Sequence, residues 1–330
     1  MSDGTYDYSA LFGNTENEIA KADIALVNEE VIIGGSELQV SGYPSFNAPF
    51  EVADELADVG FDVICHATNH ALDRGGKGIR NCLDYWKTNY PEISTVGIYD
   101  SQENSQKLCI INKKNIKVAI LNYTYGTNGI PLPESMPYAV NLLDEEKVIR
   151  DIEKAEAECD FTVVCPHWGV EYNLGISDMQ RKWAQIFADA GADLIIGTHP
   201  HVIEPIEVVQ GANGEEVPVF YSLGNYVNWT SGEGNGISNR MVGAMARIEL
   251  DVGENGKPRI AQYGVLPLVC HVESKFGGVT TYFMEDYDEE LALHNEILKR
   301  DRDFSYEYCL NLCNQIFEPQ FVLKPSTDTN

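Results

Sequence analysis

Long apolar runs are missing from this chain. No stretch approaches the roughly 18 consecutive apolar residues that a membrane-spanning helix needs, and the opening Met1-Ser-Asp-Gly-Thr-Tyr6 lacks the basic and apolar regions of an export signal. The chain as given is expected to be soluble. Basic residues are scarce as well: 23 Lys and Arg stand against 51 Asp and Glu, a net charge of −28. Such a surface repels a nucleic-acid backbone or anionic lipid, so nucleic acid is excluded as a partner. A phosphate-bearing small molecule stays admissible wherever a bound cation dominates the local field. The eight cysteines contain no CxxC pair and so no zinc-ribbon pattern. Cys65 and Cys165 lie in apolar runs, where free thiols act as small hydrophobes, and Cys309 and Cys313 sit one helical turn apart. Repeats, linkers and low-complexity tracts are also absent. Residues 1–330 therefore read as a single domain with a C-terminal extension from about residue 270.

What is present is alternation. Asn47 to Val59 has the pattern of a helix, with Pro49 near its start and Gly60 after its end. A strand follows at 61–65 and a helix across about 75–88, then short strands near 94–98, 107–111 and 117–122. Asp144 caps a helix running to about Glu158, and Ser177 with Gln180 forms a capping box for another that Gly191 stops. Strands are expected at 161–165, 193–196, 217–223, 243–250 and 260–266, the last two antiparallel about the turn at 253–257. The glycine-rich stretch from Ser231 to Gly236 reads as a loop. Strand–helix alternation passing into β-rich sequence suggests two packed sheets flanked by helices.

Four of the seven histidines lie just past the end of a predicted strand. The run Asp193-Leu-Ile-Ile196 leads into Gly197-Thr-His199-Pro-His201, and Phe161 to Cys165 leads into Pro166-His167-Trp168-Gly169. Gly60 to Cys65 leads into His66-Ala-Thr-Asn69-His70-Ala-Leu-Asp73. A fourth run, Asp23 to Val27, ends in Asn28-Glu29-Glu30. Strand ends of this kind line the crevice where open α/β sheets bind ligands. Histidines at 199 and 201, two apart on an extended backbone, can face one side. The bland alternative is a set of surface histidines after strands. Converging His, Asn and Glu side chains instead describe a metal site, and imidazoles with a hard oxygen ligand suit Mn, Fe or Zn better than Ca or Mg.

The segments NHALDRG, HWGVEY, GADLIIGTHPHVIEPIE and YSLGNYV resemble the motifs of the CapA-like poly-γ-glutamate capsule-synthesis family, whose fold is similar to that of the calcineurin-like metallophosphoesterases. The resemblance runs from about Ala22 to about His294. It implies an α/β (α+β) fold, a four-layer α-β-β-α sandwich, and a divalent transition metal site with two ions in the family. It also implies a link to cell-envelope polymer machinery, with an extracytoplasmic or membrane-associated location. Carried over by motif, the metal ligands fall on Glu30, Asn69, His167, His199 and His201. Glu29 stands where the family has an apolar residue, and the motif register selects Glu30. The family opens on a strand ending in Gly-Asp, whose aspartate is a ligand. This chain aligns beyond it, and Asp3 and Asp7 follow no apolar run. The first strand and one ligand are thus expected to be lacking, leaving one tightly held ion.

His70 is expected to play another part. Asp73, three residues on, can accept one ring N–H, fixing the tautomer and turning the other nitrogen to a leaving group as a general acid. Asp73 can equally be a helix N-cap. Arg74 and Asn225 are candidate substrate contacts, and Trp168 and Tyr172 candidate pocket walls. The leading expectation is a phosphoesterase acting on a phosphorylated small molecule or polymer intermediate. The alternatives are a non-catalytic scaffold or binding component of polymer assembly, and an amide hydrolase or ligase acting on polyglutamate.

Overall fold

The computed structural model describes residues 6–229, 232, 234, 236–253, 256–273 and 278–326. The chain runs α1 (Glu16–Ile19), β1 (Leu26–Asn28), α2 (Glu51–Val59), β2 (Val63–Cys65), α3 (Gly75–Asn89), β3 (Ser94–Val96), β4 (Cys109–Lys113), β5 (Ile116–Thr124), α4 (Glu145–Glu158) and β6 (Phe161–His167). It continues α5 (Asp178–Ala190), β7 (Leu194–Ile196), β8 (Ile206–Gln210), β9 (Glu216–Phe220), β10 (Val242–Val252), β11 (Pro258–Val272), β12 (Val279–Phe283), α6 (Glu289–His294) and α7 (Tyr306–Ile316). No helix among the described residues is long and apolar enough to cross a membrane.

The strands form three sheets. β1, β2 and β3 are parallel, and β10, β11 and β12 form an antiparallel meander. The third sheet has the order β4-β5-β6-β7-β9-β8, with a parallel centre and an antiparallel strand at each edge. Period-two alternation decides the layers. Val63 and Cys65 of β2, and Val118 and Ile120 of β5, point into one core shared by both faces. Val242, Val265 and Val269 of the meander enter the same core. Ile64 points the other way, onto Leu56 of α2 and Ile79 of α3. Ala119 and Leu121 point onto Val148 and Ile152 of α4 and Phe187 of α5. The order helix, sheet, sheet, helix follows, an α-β-β-α sandwich.

Local signals place the helices. The Asp144 side chain accepts from Lys147 N, Ser177 and Gln180 form the reciprocal capping box, and Gly60 and Gly191 end their helices at φ 100° and 112°. The first long helix starts at Glu51, not at Asn47. The Asn47 side chain is occupied elsewhere, accepting from Gly34 N at 3.0 Å and donating to Gly35 O at 2.9 Å. Asp3 and residues 231, 233 and 235 of the glycine-rich 231–236 stretch lie outside the described residues. Gly253 N and Lys257 O are bonded at 2.9 Å across the turn between β10 and β11. The segment beyond residue 270 joins the main core, because Cys309, Leu312, Cys313 and Ile316 of α7 all pack into it.

Gly197, directly after β7, has no room for a side chain. A Cβ there would come within 2.2 Å of Tyr221 O and 2.3 Å of Trp168 Nε1. Those two atoms are already hydrogen-bonded at 2.9 Å, inside a stack of Trp168, Tyr221 and Phe187. Gly197→Ala is expected to destabilise the fold by about 1–3 kcal/mol, the usual cost of overpacking. Urea unfolding midpoints of the two proteins measure it, and equal midpoints would count against this close packing.

Candidate metal centre

β1, β2, β6 and β7 all deliver their carboxyl ends to one side of the sandwich. Glu30 lies two residues past β1, Asn69 and His70 follow β2, His167 is the last residue of β6, and His199 and His201 follow β7. Backbone bonds lock the last two loops together: Thr198 N donates to Pro166 O at 3.0 Å and Trp168 N to Thr198 O at 3.0 Å. Glu30, His199 and His201 each offer a ligand atom within 4.8 Å of the other two. His167 joins them, with Nε2 3.6 Å from Glu30 Oε1 and its ring centroid 4.9 Å from that of His199. His201 Nε2 is 3.5 Å from Glu30 Oε1. Asn69 Oδ1 lies 2.9 Å from His167 Nε2.

The outer partners set which nitrogens face inward. His167 Nδ1 meets Thr198 Oγ1 at 3.0 Å, and that hydroxyl donates onward to Asn28 Oδ1 at 3.3 Å. His201 Nδ1 meets Asn225 Oδ1 at 2.9 Å. With Nδ1 serving as donor, His167 Nε2 presents a lone pair to Asn69 Oδ1 and Glu30 Oε1, which are themselves acceptors. His167 Nε2, Asn69 Oδ1 and Glu30 Oε1 thus meet as acceptors, an arrangement that a cation between them would satisfy. Glu30 Oε1 and His199 Nδ1 are buried without a hydrogen-bond partner, as such a vacancy in the donor set requires. The residues present therefore fit a divalent cation of the imidazole- and carboxylate-binding kind.

The electrostatics agree. Burial by itself would raise the Glu30 carboxyl, but His167 and His201 outweigh it and hold it well below the ordinary range. Burial likewise opposes the charge on His201, yet the neighbouring Glu30 carboxylate lifts it to about 9. Burial, then neighbouring His167, pushes His199 down to about 3. Burial also lowers His167. Glu29 instead lines an apolar cavity of about 390 Å³ together with Phe12, Val31, Phe46 and Leu56. Burial there raises its carboxyl to about 8, which leaves Glu30 as the ionised acid at the centre.

One expectation needs correction. His199 and His201 are not on extended backbone; their φ angles are 104° and 58°. They converge because the loop turns through left-handed conformations rather than through strand alternation.

His70 stands beside this cluster. Its Nδ1 is 2.7 Å from Asp73 Oδ2, which also accepts from Phe46 N at 2.7 Å, and the Phe46 ring abuts the imidazole edge-on at 4.6 Å. Asp73 makes no N-cap bond, since the following helix carries no side-chain cap. The Arg74 guanidinium is engaged by Ser41 Oγ, Ser45 Oγ and the carbonyls of Asp73 and Ser45. Asn225 reaches the centre only through His201: Nδ2 donates to His201 O at 3.1 Å and to Arg240 O at 2.9 Å. Trp168 is fully buried packing.

Sequence reasoning passed over Thr198, Tyr125 and Asn128. Asn128 Oδ1 accepts from Asn69 Nδ2 at 3.3 Å, and its own Nδ2 lies 3.4 Å from His70 Nδ1. The Tyr125 ring lies 4.7 Å from that of His199. A signal was available, because Tyr123-Thr-Tyr125-Gly-Thr-Asn128 follows the apolar run of β5 just as the histidine motifs follow theirs.

Comparison with known proteins extends this picture. Against solved structures the chain is similar to a 5'-nucleotidase precursor from Thermus thermophilus, with 17% identity, 79% of this chain and 48% of that chain covered, and a TM-score of 0.48. It is also similar to the NAD nucleotidase of Haemophilus influenzae, with 12% identity, 97% and 58% covered, and a TM-score of 0.49. Among curated relatives, the PGA biosynthesis protein CapA of Bacillus subtilis is 36% identical over 179 residues, 53% of this chain and 45% of that protein. The capsule biosynthesis protein CapA of Bacillus anthracis is 31% identical over 193 residues, 56% and 45%. The matched part thus spans a little under half the length of either relative. The model of the bacterial capsule synthesis protein family PGA_cap matches residues 1–230, and the chain belongs to that family.

Proposed function

We propose that the chain is a metal-dependent phosphoesterase working on a phosphorylated small molecule or polymer intermediate in poly-γ-glutamate capsule biosynthesis, at the cell envelope. The convergence of acceptors from Glu30, Asn69, His167, His199 and His201 carries this reading, together with the capsule role named for the two CapA relatives. We take residues 1–330 as one working unit, since α7 packs into the same core as β2, β5 and β6.

A divalent cation held by these ligands would supply Lewis acidity to a phosphoryl oxygen and lower the pKa of an attacking water. The protein's own part is positional. Asp73 accepts from His70 Nδ1, so His70 Nε2 is the nitrogen left to hand a proton to the departing oxygen. Phe46 walls the imidazole and limits water there. Thr198 and Asn225 keep His167 and His201 in the tautomers that aim Nε2 at the centre.

The test is hydrolysis of p-nitrophenyl phosphate and bis-p-nitrophenyl phosphate by the purified chain loaded with Mn²⁺ or Zn²⁺ and after chelation. Release of nitrophenol that chelation abolishes and added metal restores is the expected result. A metal-loaded protein that hydrolyses neither would instead be a binding or scaffold component.

A further inference from the structure

Two tyrosines on separate loops, Tyr125 and Tyr172, stand against the imidazoles of the centre while remaining 43% and 45% exposed as whole residues. Tyr125 follows β5 and tilts over His199 at 4.7 Å between ring centroids. Tyr172 follows β6 and stacks on His201 at 5.9 Å with the planes 27° apart. Both backbones are pinned. Tyr125 N donates to His167 O at 3.0 Å, and Tyr172 N donates to Pro200 O at 2.7 Å from a left-handed conformation, φ 65°. Arg240 lies flat on the Tyr172 ring, its Cζ 3.4 Å from the centroid.

We propose that Tyr125 and Tyr172 form an aromatic rim that receives a planar ring of the substrate, attached next to the phosphoryl group at the metal centre, with the Tyr125 ring as the stacking partner and Tyr172, whose face Arg240 covers, meeting the ring by its edge. Tyr123 and Tyr221, by contrast, hide their rings in the core. Tyr125 and Tyr172 are fixed in place, exposed, and set beside the ligands from different loops. Aromatic faces bind planar rings by offset or edge-on stacking, which contributes beyond the area buried. The Arg240 guanidinium on Tyr172 makes the rim hospitable to a negatively charged ligand as well. The two residues are specificity-determining for the reaction proposed above, and the inference rests on that reading.

Phosphonates separate the two, because they bind without being cleaved. Calorimetry on the Mn²⁺-loaded protein compares phenylphosphonate, cyclohexylphosphonate and methylphosphonate. Phenylphosphonate is expected to bind about tenfold more tightly than methylphosphonate and more tightly than cyclohexylphosphonate. Tyr125→Leu and Tyr172→Leu, with manganese content checked by elemental analysis, should each cut the phenyl-to-methyl ratio about threefold or more. Equal binding of phenyl- and methylphosphonate, or of phenyl- and cyclohexylphosphonate, would overturn the rim while leaving the phosphoesterase reading intact. Failure of all three to bind a metal-loaded protein would sink the phosphoesterase reading, and the rim with it.

Discussion

Replacing His70 with asparagine is expected to lower the phosphoesterase rate of the Mn²⁺-loaded protein by about 10²–10⁴-fold, the usual worth of a general acid. The metal content should stay at the wild-type level. The expectation follows from the 2.7 Å contact between His70 Nδ1 and Asp73 Oδ2. That contact commits one ring nitrogen to the carboxylate and keeps it out of the metal's coordination. Asparagine retains a polar side chain next to Asp73 and Asn128 but has no proton to give at the leaving group. Elemental analysis alongside the rate measurement separates the possible roles. Loss of the metal in this variant would make His70 a ligand, and an unaltered rate would remove it from the chemistry.

Glu30→Gln should have a comparably large effect on a different quantity. Glu30 Oε1 lies 3.6 Å from His167 Nε2 and 3.5 Å from His201 Nε2, and it is the ionised carboxylate of the cluster. Removing a partner in the outer shell of a metal site typically weakens binding 10–100-fold, so loss of the charge itself should weaken Mn²⁺ or Zn²⁺ binding by more than about 100-fold. The titration also carries a pH signature. Without metal His201 stays protonated up to about 9, so at neutral pH an arriving ion must displace that proton. Wild-type affinity should therefore climb as pH rises from 6 toward 9. The Gln variant, lacking the carboxylate that holds the proton, should show a shallower slope. The wild-type chain should take up one tight equivalent, since Glu30, His199 and His201 form the one such cluster among the described residues. Two tight equivalents, or equal affinity in the variant, would contradict this account.

Much of the candidate site was legible because its converging side chains obey a simple rule: an apolar run, then a histidine or an amide. His167 and His199 could be read that way because β6 and β7 are buried parallel strands that look continuous in sequence. Other features depend on tertiary context. Arg74 resembles an anion contact in sequence, yet the 41–45 loop captures its guanidinium, and no local pattern encodes that meeting. Tyr125 and Asn128 obey the same strand-end rule but carry no imidazole to draw the eye. β8 has no clear signal in sequence, because an edge strand with one buried residue in five looks like loop. In α7, Cys309, Leu312, Cys313 and Ile316 repeat at the i, i+3, i+4, i+7 spacing of a buried helix face. The two thiols are members of that stripe.

The left-handed backbone at His199 and His201 narrows what descent can do at these positions. Apart from glycine, the residues that tolerate positive φ most readily are asparagine, aspartate and histidine. The last two are common metal ligands. Selection on the loop's shape and selection on the ion thus retain nearly the same few side chains. A lineage that lost the chemistry but kept the fold would be expected to drift first toward asparagine or glycine at 199 and 201, rather than toward alanine or a branched residue. That substitution pattern would distinguish a retired catalyst from a chain that never held a metal.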